Sequence, residues 1–137
     1  METNSPRAGE AERQARIVIA DDDESTRILL TEALSEQPSV ELVGSGKDAD
    51  EAIELVGEFQ PDVAILDWSM PAGGGDRAAK EITDRFPQVA IIALTGMDGV
   101  EASYSMMSAG AVGLLQKGCS TEELIDAIHS AKRWSSD

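Results

Sequence analysis

The sequence contains one cysteine, Cys119, so no disulfide can form within the chain; that suits a cytoplasmic protein, and we read the chain as one. No apolar run approaches the ~20 residues that span a bilayer. Residues 1–16 are polar and charged and lack the apolar segment of a signal peptide. Positive charge is scarce. Lys and Arg number 11 against 26 Asp and Glu, for a net charge of −15. This balance disfavours direct binding to nucleic acid or to an anionic membrane, because both need a positive face. Histidine is limited to His129, which has no base or metal partner near it in sequence and reads as an ordinary helix residue. Internal repeats and low-complexity tracts are absent.

What is present is a regular alternation. The length of 137 residues fits one domain, and 42% hydrophobic residues suffice for a core. Met1 to Arg16 has no sustained apolar period and reads as a flexible leader. Ile17 to Ala20 is a short apolar run that suits a strand buried on both faces. Ser25 to Glu36 then carries Ile28, Leu29, Ala33 and Leu34 at helical spacing, until Pro38 ends it. Val40–Val43 predicts a second strand, Asp48–Phe59 a second helix, and Val63–Leu66 a third strand. A glycine-rich stretch, Trp68 to Gly75, reads as a loop, of which Ala72 to Asp76 reads as mobile rather than as a device that opens the acid pocket, and a third helix runs on to about Phe86. Val89–Leu94, Val100–Ala109, Val112–Gln116 and Thr121 to about Trp134 predict strand, helix, strand and helix. Ser120 or Thr121 opens the last helix with a Thr-x-x-Glu type cap. Five strands alternating with five helices predict an α/β fold, a parallel sheet covered on both faces.

In such sheets ligands sit at the carboxyl ends of the strands, at the switch in strand order. The first predicted strand stops at Asp21-Asp22-Asp23, the third at Asp67, the fourth at Thr95 and the fifth at Lys117. Any one of these is unremarkable alone, since an aspartate after a strand is commonly a helix cap or turn residue; Asp23 and Glu24 are candidates for only that. Together they form a chemical set. Carboxylates brought close repel each other, and a hard divalent cation such as Mg²⁺ offsets this through oxygen ligands. A carboxylate can act as a nucleophile and form an aspartyl phosphate. Metal and lysine would stabilise the phosphoryl oxygens, and Thr95 can donate a hydrogen bond to one of them.

Four motifs stand in order: Ile17-Val18-Ile19-Ala20-Asp21-Asp22, Ala64-Ile65-Leu66-Asp67-Trp68-Ser69-Met70-Pro71, Ala93-Leu94-Thr95-Gly96, and Gly110 to Lys117. This pattern resembles the bacterial response-regulator receiver family over about Arg16 to Trp134. The resemblance implies a flavodoxin-like (βα)5 receiver over 16–134, a flexible leader at 1–15 and a tail at 135–137. It implies a non-enzymatic switch in phosphorelay signalling, with Asp67 as phosphoacceptor. Asp22 resembles the direct metal ligand, Asp21 its acidic partner, and Ser69 the residue whose backbone carbonyl meets the Mg²⁺ (or Mn²⁺). Thr95 matches the hydroxyl residue that moves toward the phosphoryl group, and Lys117 the lysine that contacts it. Ser69 and Met97 fall at positions that tune dephosphorylation in the family. The implied partners are a sensor histidine kinase or histidine phosphotransfer protein, which supplies the phosphohistidine. A homodimer through the face of helix four, strand five and helix five is a further implication, and Tyr104, Met106 and Met107 lie on that fourth helix.

The pattern departs from the family in places. Leu114 stands where an aromatic residue is common, so ring rotation coupled to Thr95 is excluded. Gly118 replaces the proline that often follows the lysine, so a tight turn without a cis peptide is expected there. Gly75 matches a glycine kept before the third helix. Two alternatives compete with this pattern. Asp21-x-Asp23-x-Ser25 resembles the nucleophile loop of haloacid-dehalogenase phosphatases, but the chain is too short for that family's later acidic pair and cap, and Asp67 would lack a role. A flavodoxin-like cofactor binder fits less well, since Asp21 to Glu24 would repel a phosphate. The chain is compatible both with a stand-alone receiver and with a fragment of a longer DNA-binding regulator.

Overall fold

The computed structural model describes residues 13–96 and 99–136. Five strands, β1 (Ala15–Ala20), β2 (Val40–Gly46), β3 (Val63–Asp67), β4 (Ala90–Thr95) and β5 (Gly113–Gln116), alternate with five helices. The helices are α1 (Glu24–Ser35), α2 (Ala49–Phe59), α3 (Gly74–Arg85), α4 (Val100–Ala109) and α5 (Thr121–Ser136). All pairings are parallel, and the sheet order is β2-β1-β3-β4-β5. Of the expected leader, residues 1–12 lie outside the described residues. Gln14 is tied down through its side-chain amide to the Pro38 and Val40 carbonyls.

Side chains on a strand point alternately to opposite faces, and this chain uses both for burial. Val18, Ala20, Ala64, Leu66, Ile91 and Ala93 face a core shared with Ala52 and Val56 of α2, Ala78 and Ile82 of α3, and Met106 of α4. Ile17, Ile19, Val63, Ile65, Ile92 and Leu94 face the other core, with Leu34 of α1 and Leu124 and Ile128 of α5. Continuous apolar strands are therefore what a sheet between two helical layers requires.

The helices begin where their caps are. Asp23 caps α1, its Oδ2 accepting from Thr26 N at 3.2 Å and Thr26 Oγ1 at 2.7 Å. Asp48 caps α2 by accepting from Glu51 N. At α5 the box is reciprocal: Ser120 Oγ accepts from Glu123 N, and Glu123 Oε1 accepts from Ser120 N, both at 3.0 Å.

Several boundaries differ from the sequence reading for physical reasons. β2 runs on to Gly46 instead of ending at Val43, because the β1–β2 register shifts by one residue there and the strand resumes beyond the irregularity. Helix α5 continues to Ser136, two residues into the expected tail. Helix α3 starts at Gly74, inside the stretch read as a mobile loop. That stretch is tied at several points: Ala49 N donates to Pro71 O, Gly75 N to Trp68 O, and the Arg77 guanidinium to Ala72 O at 2.7 Å and to Asp50 Oδ1.

Gly75 decides how closely α3 approaches the sheet. A Cβ on it would lie 2.2 Å from the Asp67 carbonyl oxygen and 2.9 Å from Trp68 Cα, both backbone atoms of the turn after β3. Gly75→Ala is expected to lower the unfolding free energy by about 1–3 kcal/mol, read as a lower urea midpoint at unchanged slope. An unchanged midpoint would mean that α3 can retreat from Asp67 without cost.

Candidate functional site

β1 and β2 extend the sheet one way and β3, β4 and β5 the other, so the crossover direction switches between β1 and β3. The residues after these two strands are the acidic ones. Asp21 is fully buried and Asp67 nearly so, at 0% and 2% exposure, while Asp22 stands exposed. One carboxylate oxygen from each of Asp21, Asp22 and Asp67 lies within 4.8 Å of the other two. Lys117 arrives from the end of β5, 96 residues along the chain from Asp21. Its Nζ is 3.1 Å from Asp21 Oδ2 and 3.3 Å from Asp67 Oδ2, and its hydrogen bond goes to Asp21 Oδ1 at 3.3 Å. Asp21 Oδ1 also accepts from Asp23 N, and Asp67 Oδ1 from Ser69 N. Asp21 Oδ2 and Asp67 Oδ2 are left buried with no hydrogen bond, since the lone ammonium lies within ion-pair range of both but is aimed at neither.

Thr95 is buried at the end of β4, and Lys117 N donates to its carbonyl at 2.8 Å, so the two residues are locked in register. A recess of about 530 Å³ opens beside them, lined by Thr95, Ser103, Leu114, Lys117 and Cys119. Leu114 is half exposed there. Gly118 turns the chain away from Lys117 with a positive φ of 90°, and the described residues contain no cis peptide. Met97 lies outside the described residues. On α4, Met106 is core, whereas Val100, Tyr104 and Met107 are exposed. His129 does have a partner: its Nε2 is 3.0 Å from Ser39 Oγ, far from the acidic cluster in the fold. Arg27 escaped the sequence reading; its guanidinium donates to the Asp21 carbonyl at 2.7 Å. A basic residue one turn into the helix after an acidic run was the available signal.

Burial pushes the Asp67 carboxyl up to about 7, the nearby charge of Asp21 adds to this, and Lys117 and the Ser69 amide pull against it. Burial disfavours the Lys117 ammonium, but its hydrogen bond to Asp21 and the charges of Asp67 and Asp21 outweigh that and hold it above the ordinary lysine value. Without a cation, Asp67 therefore keeps its proton to about pH 7 when folded but only to 3.8 when unfolded. Between those values the folded state binds more protons, so this contribution is full at low pH and is lost as pH rises through 7. In metal-free buffer Asp67→Asn is expected to be more stable than wild type, and its advantage should be larger at pH 8 than at pH 5. The difference amounts to about 2–3 kcal/mol at roughly 1.4 kcal/mol per unit. Denaturant titrations at both pH values test this; an equal advantage at each would mean that Asp67 is ionised throughout.

The sequence profile of the response regulator receiver domain matches residues 17–129. The chain is 39% identical over 116 residues to the oxygen regulatory protein NreC of Staphylococcus epidermidis, covering 84% of this chain and 53% of that protein. It is 32% identical over 117 residues to the transcriptional regulatory protein DegU of Brevibacillus brevis, covering 85% and 50%. The chain thus spans about half the length of the curated relatives it matches. Its backbone superposes with a TM-score of 0.84 on the signal receiver domain of NarL from Mycobacterium tuberculosis, at 29% identity, covering 88% of this chain and 98% of that one. A chain matched in profile and in fold across its whole sheet belongs to the response regulator receiver domain family, the signal-receiving part of two-component systems.

Proposed function

We propose that this receiver takes a phosphoryl group onto Asp67 from a phosphohistidine of another protein, a sensor histidine kinase or a histidine phosphotransfer protein. The observation that carries the reading is the pair of buried oxygens, Asp21 Oδ2 and Asp67 Oδ2, that lack hydrogen bonds beside a third carboxylate, Asp22. Such a set fits a hard, oxygen-seeking divalent cation. Asp21, Asp22, Asp67 and the backbone carbonyl of Ser69 would hold Mg²⁺ (or Mn²⁺) there. When bound, the ion supplies charge that offsets the carboxylates and the phosphoryl oxygens.

The protein's own part follows from the geometry. An oxygen of ionised Asp67 attacks phosphorus; the O–P bond forms as the N–P bond of the phosphohistidine breaks, and the imidazole leaves with the electron pair. Lys117, already within 3.3 Å of Asp67 Oδ2, turns its ammonium to the incoming phosphoryl oxygens, and the Thr95 hydroxyl donates to another of them. The haloacid-dehalogenase alternative would take Asp21 as nucleophile. It is disfavoured because Asp21 is wholly buried and bonded through Oδ1 to Lys117 and the Asp23 amide.

The exposed Val100, Tyr104, Met107 and Leu114 support the face of α4, β5 and α5 as the surface through which the phosphorylated domain meets a second copy or another partner. Because relatives of about twice this length are named transcriptional regulators, we read the domain as the receiver part of such a regulator, with DNA contact made outside this chain.

Incubation with acetyl phosphate, followed by intact mass, tests the central reading. One added phosphoryl group is expected for the wild type with Mg²⁺, and none without Mg²⁺ or for Asp67→Asn. An adduct on Asp67→Asn, or one formed equally in EDTA, would reject Asp67 and the metal site respectively.

A further inference from the structure

The ladder that holds β1 ends at Asp21. Its amide still donates to Gly46 O at 3.0 Å, but its carbonyl leaves the sheet and is taken by the Arg27 guanidinium at 2.7 Å. That is the one hydrogen bond of the Arg27 side chain among the described residues. Arg27 belongs to the first turn of α1, with its own amide donating to Asp23 O. Helix side chains lean toward the N-terminus, so this one reaches back over the β1–α1 turn. A cation in a first turn opposes the helix dipole, so the electrostatics of the helix end do not account for its presence.

The Asp21 carbonyl and the Asp22 amide are two ends of one planar peptide unit. Fixing the carbonyl fixes the plane from which Asp22 departs. Asp21 has independent restraints through Lys117, Asp23 and burial. Asp22 is exposed, and its carboxylate has no hydrogen bond or ion pair among the described residues. Its approach to Asp21 and Asp67, within 4.8 Å, therefore depends on the backbone. We propose that Arg27 is a positioning residue for the cation site: it clamps the Asp21–Asp22 peptide so that the Asp22 carboxylate is presented to the divalent cation. The inference rests on the metal-site reading above.

The sign of one measurement separates this role from that of a simple counter-charge. Coulomb's law alone says that removing a nearby positive charge strengthens cation binding. Loss of a clamp weakens it, and residues that orient metal ligands typically change affinity by about 10- to 100-fold. The test is a Mg²⁺ titration of the full chain in a Trp134→Phe background, following emission of Trp68, which directly follows Asp67. Arg27→Gln is expected to raise the Mg²⁺ Kd about tenfold, and Arg27→Lys, which keeps a donor, to recover part of the loss. Arg85→Gln removes the same charge from the far end of α3, where it pairs with Glu81, and should bind as the parent does. Circular dichroism establishes that each variant is folded at the titration temperature. If the parent binds and Arg27→Gln binds equally or more tightly, the positioning role is overturned while the metal site stands. If the parent itself shows no saturable binding by emission and none by calorimetry, the metal site and the role fall together.

Discussion

Two carboxylates, Asp21 and Asp67, lie inside the rim of an apolar sheet with one ammonium between them, and the local structure is organised around that unbalanced charge. Ionising both in a buried site is unfavourable unless positive charge accompanies them. Lys117 supplies part of it, and its backbone amide, donating to Thr95 O, holds it at the end of β5. The remainder is met by a proton, as the raised Asp67 value indicates. The same imbalance that costs stability in the domain is the feature on which the proposed cation and phosphoryl chemistry rests.

The sheet makes this crowding possible. Burial on both faces fixes each strand through alternate residues, Val18 and Ala20 to one core and Ile17 and Ile19 to the other, so the strand ends cannot drift apart to relieve repulsion. Gly75 lets α3 close against the Asp67 carbonyl, and Arg77 braces the turn before it through Ala72 and Asp50. Rigid surroundings keep the acids close at a distance that free side chains would avoid.

The output side differs from the family pattern in a way the fold accommodates. Leu114 leaves no ring to move beside Thr95, and a recess of about 530 Å³ stands next to it. Ser103 of α4 lines that recess, and Tyr104 and Met107 of the same helix are exposed. Gly118 turns the chain with a positive φ where a proline would otherwise have set it. The Asp76 carboxylate, adjacent to Gly75, accepts from Ser105 Oγ of α4 at 3.0 Å, so the first turn of α3 is tied directly to α4.

The sequence alone was enough for the five strands and helices, for the parallel α/β arrangement, and for the residues that end β1, β3, β4 and β5. These are properties of short segments: apolar runs, helical spacing, and the caps at Asp23 and Ser120 depend on neighbours within a few positions. The irregularity that extends β2 past Val43 depends on the partner strand, and the tightness of the approach at Gly75 on the backbone of the turn after β3, so neither was visible in a local segment. Tertiary structure decided which acids carry the strain. Asp21, Asp22 and Asp23 are chemically identical in sequence, yet one is buried with Lys117, one stands exposed toward the site, and one caps a helix. Strand pleat and the turn into α1 direct their side chains differently, and only the packed sheet brings a lysine from the far end of the chain to the first of them.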